Sequence, residues 1–135
     1  MNIQIKETRD ILLEQILELY RLNEWSSANK PTELFQGLMN SHALVSAWEG
    51  EKLVGIGNAI SDGHLVVYYP HMLVHPEYQG KGIGQMMMAK MQEKYGNFHM
   101  QMLTADGKAI EFYEKVGFER AGETEPMWIY AGNEH

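Results

Sequence analysis

The 135-residue chain lacks several features that would assign it to a specialised class of protein. It has no cysteine, which excludes a disulfide framework, a thiolate nucleophile and a cysteine-ligated metal. Positive charge is also scarce, and the formal net charge of -7 argues against nucleic acid as a main partner. No stretch resembles a signal peptide or a membrane span, because Glu14, Gln15 and Glu18 interrupt the first apolar one. We therefore expect a cytoplasmic protein without a membrane partner.

What the chain does contain is typical of a globular domain. Hydrophobic residues make up 44% and charged residues 21% of the sequence. Together with the length, these values predict one domain over residues 1–135 with a substantial core.

The hydrophobic pattern alternates between strand-like and helix-like stretches. Thr8 and Asp106 are plausible N-caps, and Pro31 suits the first turn of a helix. The pattern predicts strands over 2–7, 42–48, 52–60, 65–74, 98–103, 118–121 and 127–130, and helices from Thr8 to about Leu22, from Pro31, over 86–95 and over 107–116.

The most informative stretch, residues 74–85, places a glycine loop between a strand-like run and a helical pattern. Glycines let the backbone approach a phosphate, and the first turn of the following helix attracts negative charge. Lys81 adds a positive charge between Gly80 and Gly82. We interpret the loop as a pyrophosphate cradle.

Two familiar phosphate-binding loops do not fit this stretch. A Walker A loop needs Ser or Thr after its lysine, and Lys81 is followed by Gly82. A dinucleotide fingerprint needs a third glycine where this chain has Gln85, and it also needs a βαβ unit that is missing here.

The pattern that does match is Gln79-x-x-Gly82-x-Gly84, and in it the sequence resembles the GCN5-related N-acetyltransferase (GNAT) superfamily. A second match follows at residues 109–118, which look like the family's A-x-x-F-Y-x-x-x-G-F segment. The resemblance covers about residues 42–130 well. It implies an α/β (α+β) fold with a mixed, mostly antiparallel twisted sheet, helices on both faces and the order β-α-α-β-β-β-α-β-α-β-β.

The resemblance also implies acetyl-coenzyme A as cosubstrate and no metal. In the family, loop amides hold the pyrophosphate, and the pantetheine arm pairs with strand backbone beside a bulge. Pro70 is consistent with such a bulge, although a strand that simply ends at Tyr69 explains it equally well. The predicted cosubstrate contacts are Leu73, Val74, Gln79, Gly80, Lys81, Gly82, Ile83, Gly84 and Gln85.

Tyr113 is the predicted proton donor to the departing thiolate, because the family places a tyrosine there near the sulfur. The alternative is structural: Tyr113 shares a helical stripe with Ala109, Ile110 and Val116, so it would face the core in any such helix.

His71 is the candidate general base, because histidine titrates near neutral pH and residues 65–73 hold no carboxylate. An ordinary hydrogen-bonded histidine on a sheet is the competing interpretation. Trp25 and Tyr69 are the candidate contacts to the acceptor substrate.

The resulting hypothesis is an N-acetyltransferase acting on a primary amine of a small molecule. A non-catalytic acyl-coenzyme A binding module and a protein acetyltransferase, acting on lysine or an N-terminal amine, are the alternatives. Homodimerisation is common in the family, and the sequence leaves it open.

Overall fold

The computed structural model describes residues 1–132 and builds one mixed sheet with helices against both faces. Short 3-10 helices lie at Ser26–Asn29 and Pro76–Tyr78. The strands and helices run in the order β1 (Ile3–Lys6), α1 (Leu13–Leu22), α2 (Pro31–Met39), β2 (Ala43–Glu49), β3 (Lys52–Ser61), β4 (Val66–Tyr68), β5 (Met72–Val74), α3 (Ile83–Tyr95), β6 (Met100–Met102) and α4 (Ala109–Lys115).

The sheet is mostly antiparallel, as predicted. Its strand order is β1-β2-β3-β4-β6, with β5 also pairing to β3. Only β4 and β6 pair in parallel. The hairpin between β2 and β3 turns at Gly50, whose φ of 60° lies in the left-handed region that glycine tolerates. The predicted fold class is therefore confirmed.

The predicted strand over 65–74 is interrupted at Pro70, which has no N–H to contribute to a strand ladder. Before it, β4 pairs with β3 and β6; after it, β5 pairs with β3 at residues 55–57. Asn58 fixes the interruption, because its backbone N–H donates to the His71 carbonyl and its Oδ1 accepts from the His71 N–H, both at 3.1 Å. The break separates β5 from β6 and opens a cleft between them.

Two apolar clusters hold the helices to the sheet. Tyr20 and Leu38, from α1 and α2, pack over Ile56 and Leu73 on one face. On the other face Met87, Met88, Met91 and Tyr95 of α3 pack over Val45, Val54 and Val67, whereas Met86 is exposed.

The two closing strands predicted over 118–121 and 127–130 are absent. Both stretches lie outside any strand, and residues 119–132 are exposed throughout. An alternating pattern is only compatible with a strand; the strand forms where a neighbour pairs with it. Within residues 1–132 nothing pairs with either stretch.

Both predicted side-chain caps are also wrong. Helix α1 begins at Leu13, and the Thr8 hydroxyl accepts from the Asp10 N–H in the preceding turn instead. Helix α4 begins at Ala109, and Asp106 contributes only its backbone carbonyl, which accepts from the Ala109 N–H. Each side chain is a local turn former whose exact partner depends on the tertiary path of the chain.

Candidate active site

A cavity of about 630 Å³ occupies the cleft opened by the strand interruption. One wall is β5, the floor is the glycine loop with the first turn of α3, and α4 forms the opposite wall. Asn23 and Trp25 close one end. The two sequence motifs therefore meet across a single space, although about 25 residues of chain separate them.

The glycine loop exposes backbone donors to this cavity. Gly80 and Gly82 have φ of 78° and 84°, left-handed values that a residue with a Cβ rarely adopts. Gly82 is the N-cap of α3, and the first i→i−4 bond of the helix is donated by the Met86 N–H to the Gly82 carbonyl at 3.1 Å. The N–H groups of residues 83–85 precede that bond, so they are available for an anion at the positive end of the helix.

Gly84 has a different requirement, which is space. A Cβ built on it would lie 3.0 Å from Cζ of Phe112. The missing side chain lets the Phe112 ring of α4 pack directly on the first turn of α3. This contact joins the two motifs and sets the width of the cavity.

The side chain of Gln79 ties the loop to its surroundings. Its Nε2 donates to the Val74 carbonyl at 3.2 Å and to Oδ1 of Asn23 at 3.4 Å. These hydrogen bonds connect the loop with β5 and with Asn23, the residue that caps the C-terminus of α1.

Tyr113 of α4 lines the cavity and is half-buried. Its ring packs edge-on against Phe112 and Phe118, with centroids at 4.9 and 5.7 Å. Burial raises the pKa of Tyr113, which keeps the hydroxyl protonated at neutral pH. Its hydroxyl forms no hydrogen bond within residues 1–132, so the core packing predicted as the alternative accounts for the ring and leaves the hydroxyl available.

His71 lies behind the cavity wall and is held by a residue that the sequence did not identify. Its Nδ1 is 2.7 Å from the hydroxyl of Tyr20, a side chain with 0% exposure. Burial raises the pKa of Tyr20, so its hydroxyl stays protonated at neutral pH. The tautomer of His71 sets the direction of the hydrogen bond: Nδ1 accepts from the hydroxyl when the ring proton is on Nε2, and donates to the hydroxyl oxygen when the proton is on Nδ1.

The ring of Trp25 links His71 to the cavity. It lies edge-on to His71 at 5.0 Å and to Tyr20 at 5.8 Å, and it also lines the cavity. The predicted acceptor contact is thus placed at one end of the cavity, supported from behind by two aromatic rings.

Tyr69 is placed elsewhere. Its side chain is buried at 4% exposure on the α3 face of the sheet, and its hydroxyl donates to Oε1 of Gln101 at 2.6 Å. Because neighbouring strand residues point to opposite faces, a one-residue difference decides which tyrosine meets the core. Tyr69 is therefore a core residue and not the contact to the acceptor that was predicted.

The charged residues around the cavity also differ from those predicted. Lys81 is exposed beside the loop and does not line the cavity. Lys108 and Lys115 of α4 do line it, with Glu111 between them. Neither lysine is among the predicted site residues, although their spacing of seven residues, two helical turns, indicates in the sequence that they share one helical face.

Residues 1–132 contain neither a cluster of metal ligands nor a membrane-spanning helix. No three His, Asp or Glu side chains gather there as a metal ion would require. No helix in this part of the chain has the length and apolar character needed to cross a membrane.

Comparisons with known proteins agree on one family of acetyltransferases. A family profile for the acetyltransferase (GNAT) domain matches residues 40–120. A protein named histone acetyltransferase TAP1, from Glycine max, is 36% identical over 76 residues, which are 53% of this chain and 32% of that protein. This chain spans between 28% and 37% of the length of such curated relatives.

Solved structures share the whole fold. A GNAT family acetyltransferase from Streptococcus pneumoniae TIGR4 superposes with a TM-score of 0.82 at 29% identity, covering 96% of this chain and 99% of that one. AAC(6')-Iy, solved with the bisubstrate analogue CoA-S-monomethyl-acetylneamine, superposes with a TM-score of 0.72 at 17% identity, covering 98% and 99%. At that identity the second likeness establishes the fold alone.

Proposed function

This chain belongs to the GNAT family of acetyltransferases, and we propose that it transfers the acetyl group of acetyl-coenzyme A to a primary amine of a small molecule. Attack is direct, within a ternary complex. The observation that supports this most is that the glycine-loop N–H groups, the backbone of β5 and Tyr113 all face one cavity.

The cosubstrate would lie along the cleft with its pyrophosphate on the loop. The N–H groups of residues 83–85 and the helix dipole of α3 suit two phosphates, and the exposed Lys81 adds charge. Lys108 and Lys115 bring two further cations to the same cavity. The pantetheine arm, which carries amides, would pair with the backbone of Leu73 and Val74.

In the reaction, the neutral amine nitrogen attacks the thioester carbonyl carbon. A C–N bond forms, the C–S bond breaks, and the departing thiolate takes a proton. Tyr113 is the proposed donor of that proton, because its hydroxyl is protonated at neutral pH and lies in the cavity.

The amine must also lose a proton, since an alkyl ammonium cannot attack. His71 remains the proposed acceptor of this proton, with one condition set by Tyr20. As long as Tyr20 donates to Nδ1, the neutral ring carries its proton on Nε2, so a base role requires the Tyr20 hydroxyl to reverse that hydrogen bond. A water-mediated route avoids this rearrangement.

The acceptor class rests on Trp25, which closes one end of the cavity with an aromatic face suited to a cationic amine. Acetylation of a protein is the second candidate, supported by the name of the Glycine max relative.

The first experiment measures thiol release from acetyl-coenzyme A with a panel of small amines and lysine peptides. We expect release with one class of small amine. Binding of acetyl-coenzyme A without release for any acceptor would favour a binding module, and release only with peptides would favour the protein acetyltransferase.

Tyr113→Phe then tests the assigned acid. We expect turnover to fall by about 10²-fold, the usual scale for a general acid, with unchanged acetyl-coenzyme A affinity. Tyr68→Phe is the matched control, since Tyr68 is exposed and lies outside the cavity lining. Unchanged turnover in Tyr113→Phe would remove the role.

A further inference from the structure

Tyr78 directly precedes Gln79 and the glycine loop, and the hairpin between β2 and β3 holds its side chain. The Tyr78 ring lines the cavity, and its hydroxyl donates to Oε1 of Glu49 at 2.5 Å. Nζ of Lys52 lies over the same ring, 5.2 Å from the centroid. Glu49 and Lys52 face each other as the pair next to the hairpin turn. We call these two interactions of Tyr78 the hairpin contact.

A short turn after β5 brings Tyr78 back against the hairpin. The His75 N–H donates to the Val54 carbonyl of β3 at 2.8 Å, which continues the pairing of β5 with β3. The His75 carbonyl and Nδ1 then accept from the N–H groups of Tyr78 and Glu77, at 2.8 and 3.1 Å. The buried His75 ring also packs edge-on against the Tyr78 ring, with centroids at 5.3 Å. Tyr78 is therefore supported by the sheet from its backbone as well as from its side chain.

The glycine loop that follows depends on such support for its placement. Within residues 1–132 the N–H groups of residues 79–82 donate to no backbone carbonyl. The glycines set the conformation of the loop, whereas its position relative to the cavity depends on its two ends. Helix α3 fixes the far end from Ile83 onward. The near end is fixed by Tyr78 and by the side-chain hydrogen bonds of Gln79.

The hydrogen bond between Tyr78 and Glu49 has a defined direction. The carboxylate raises the pKa of Tyr78, so the hydroxyl is protonated at neutral pH and donates. A hydrogen bond to an ionised acceptor is stronger than one between neutral groups. Removing either partner releases the ring and changes no residue of the loop itself.

We propose that Glu49 is a positioning residue for the cosubstrate, acting through Tyr78 on the glycine loop. Glu49 does not line the cavity and Tyr78 does, so the effect of the carboxylate passes through the Tyr78 ring. Binding of two phosphates requires several N–H groups directed at one place, and a loop that is already positioned loses less freedom on binding. The inference rests on the proposed binding of acetyl-coenzyme A at this loop.

The sign of the expected effect separates positioning from simple electrostatics. Coenzyme A is an anion, so loss of a nearby carboxylate would by itself strengthen its binding. Loss of the hairpin contact weakens binding instead, because the loop must then be ordered by the ligand. Glu49→Ala should therefore bind more weakly than wild type in spite of its more favourable charge. Glu49→Gln keeps an oxygen that accepts from the Tyr78 hydroxyl, so it should bind at least as tightly as wild type.

Isothermal titration calorimetry with coenzyme A tests the proposal. We expect the Kd to rise by roughly fivefold to tenfold in Tyr78→Phe and in Glu49→Ala. Glu51→Ala is the matched control, since Glu51 is an exposed carboxylate of the same hairpin turn and makes no hairpin contact; its affinity should equal or exceed that of wild type. Unchanged affinity in Tyr78→Phe and Glu49→Ala, or no recovery in Glu49→Gln, would overturn the proposal.

NMR order parameters of the ligand-free chain test the positioning directly. The amides of residues 79–82 should have order parameters of about 0.85 in wild type, typical of rigid backbone, and fall toward about 0.6 in Tyr78→Phe, while those of α3 stay unchanged. Equal values in the two proteins would overturn the positioning role alone. A wild-type chain that does not bind coenzyme A would refute the proposed function, and the positioning of a cosubstrate with it.

Discussion

The glycine loop and the C-terminal run, residues 127–130, are both irregular segments, but they differ in what determines their conformation. Each loop glycine has a local requirement: Gly80 and Gly82 take left-handed φ values, and Gly84 leaves room for Phe112. The C-terminal run has no such requirement: Met127 and Ile129 are exposed, and the rings of Trp128 and Tyr130 stack on each other with centroids at 4.4 Å. Local chemistry alone is enough to define the first segment, whereas the second needs a surface to pair with.

Among changes to these two segments and to a second local turn, the largest effect should come from Gly82→Ala. No atom lies within 4 Å of the added Cβ, so the only penalty is the left-handed backbone, about 1–2 kcal/mol. If the loop relaxes to relieve it, the N–H groups of residues 83–85 change direction, and acetyl-coenzyme A affinity falls about tenfold. Isothermal titration calorimetry measures this change.

Gly37→Ala is the control for that substitution. Gly37 lies inside α2, also with open space around its Cβ position, but with an ordinary helical backbone. We expect it to stabilise the fold by up to about 1 kcal/mol and to leave affinity unchanged. Equal losses of affinity in both variants would contradict the assigned role of the loop.

A smaller effect is expected at Asp62, another locally determined turn. Its Oδ1 accepts hydrogen bonds from the backbone N–H groups of Leu65, His64 and Val66, at 2.9, 3.0 and 3.2 Å. These hydrogen bonds lower the pKa of Asp62 to about 2. Because the folded pKa lies below the unfolded value of about 3.9, the contribution to stability is complete above that value and is lost as pH falls toward 2.

Comparing thermal unfolding of wild type and Asp62→Asn from pH 7 to pH 2 tests this reasoning. Wild type should be the more stable at pH 7, and the difference should shrink through the acid range. Asp106→Asn serves as control, since α4 has no side-chain N-cap bond. A difference that is constant with pH would rule out the carboxylate as its source.

The smallest effect should come from Met127→Ser. Its side chain is 93% exposed, so the free energy of unfolding should change by less than about 0.5 kcal/mol. Urea unfolding of the dilute protein measures it. A loss above 1 kcal/mol would mean that the run packs against its own chain, and the contrast with the glycine loop would disappear.

Features encoded within a few residues could be predicted from the sequence. The glycine loop and the irregularity at Pro70 each depend on backbone preferences of the residues concerned. The family segment at 109–118 added Tyr113, which the structure places on the same cavity as the loop.

Features that depend on distant neighbours could not be predicted. Tyr20 and His71 are 51 residues apart, and no local pattern indicates that their side chains meet. The choice between Tyr68 and Tyr69 depends on the register of β4, which is fixed by its pairing with β3 and β6. The two predicted closing strands are absent for the same reason, because a stretch becomes a strand only where a neighbouring strand pairs with it, and its own residues do not specify that neighbour.

The amide of Asn58 has a consequence for how fast a ligand can enter. Its Oδ1 and the Asn58 backbone N–H bond to His71, as described above. Its Nδ2 donates to Oγ of Ser41 at 2.9 Å, and that hydroxyl donates to the Gly37 carbonyl near the end of α2. Breaking this buried chain would leave polar groups unsatisfied, at about 1–3 kcal/mol each. The strand interruption that separates β4 from β5 is thus fixed before any ligand arrives. We expect association to be a single step whose observed rate rises linearly with ligand concentration, without the plateau of a slow opening motion.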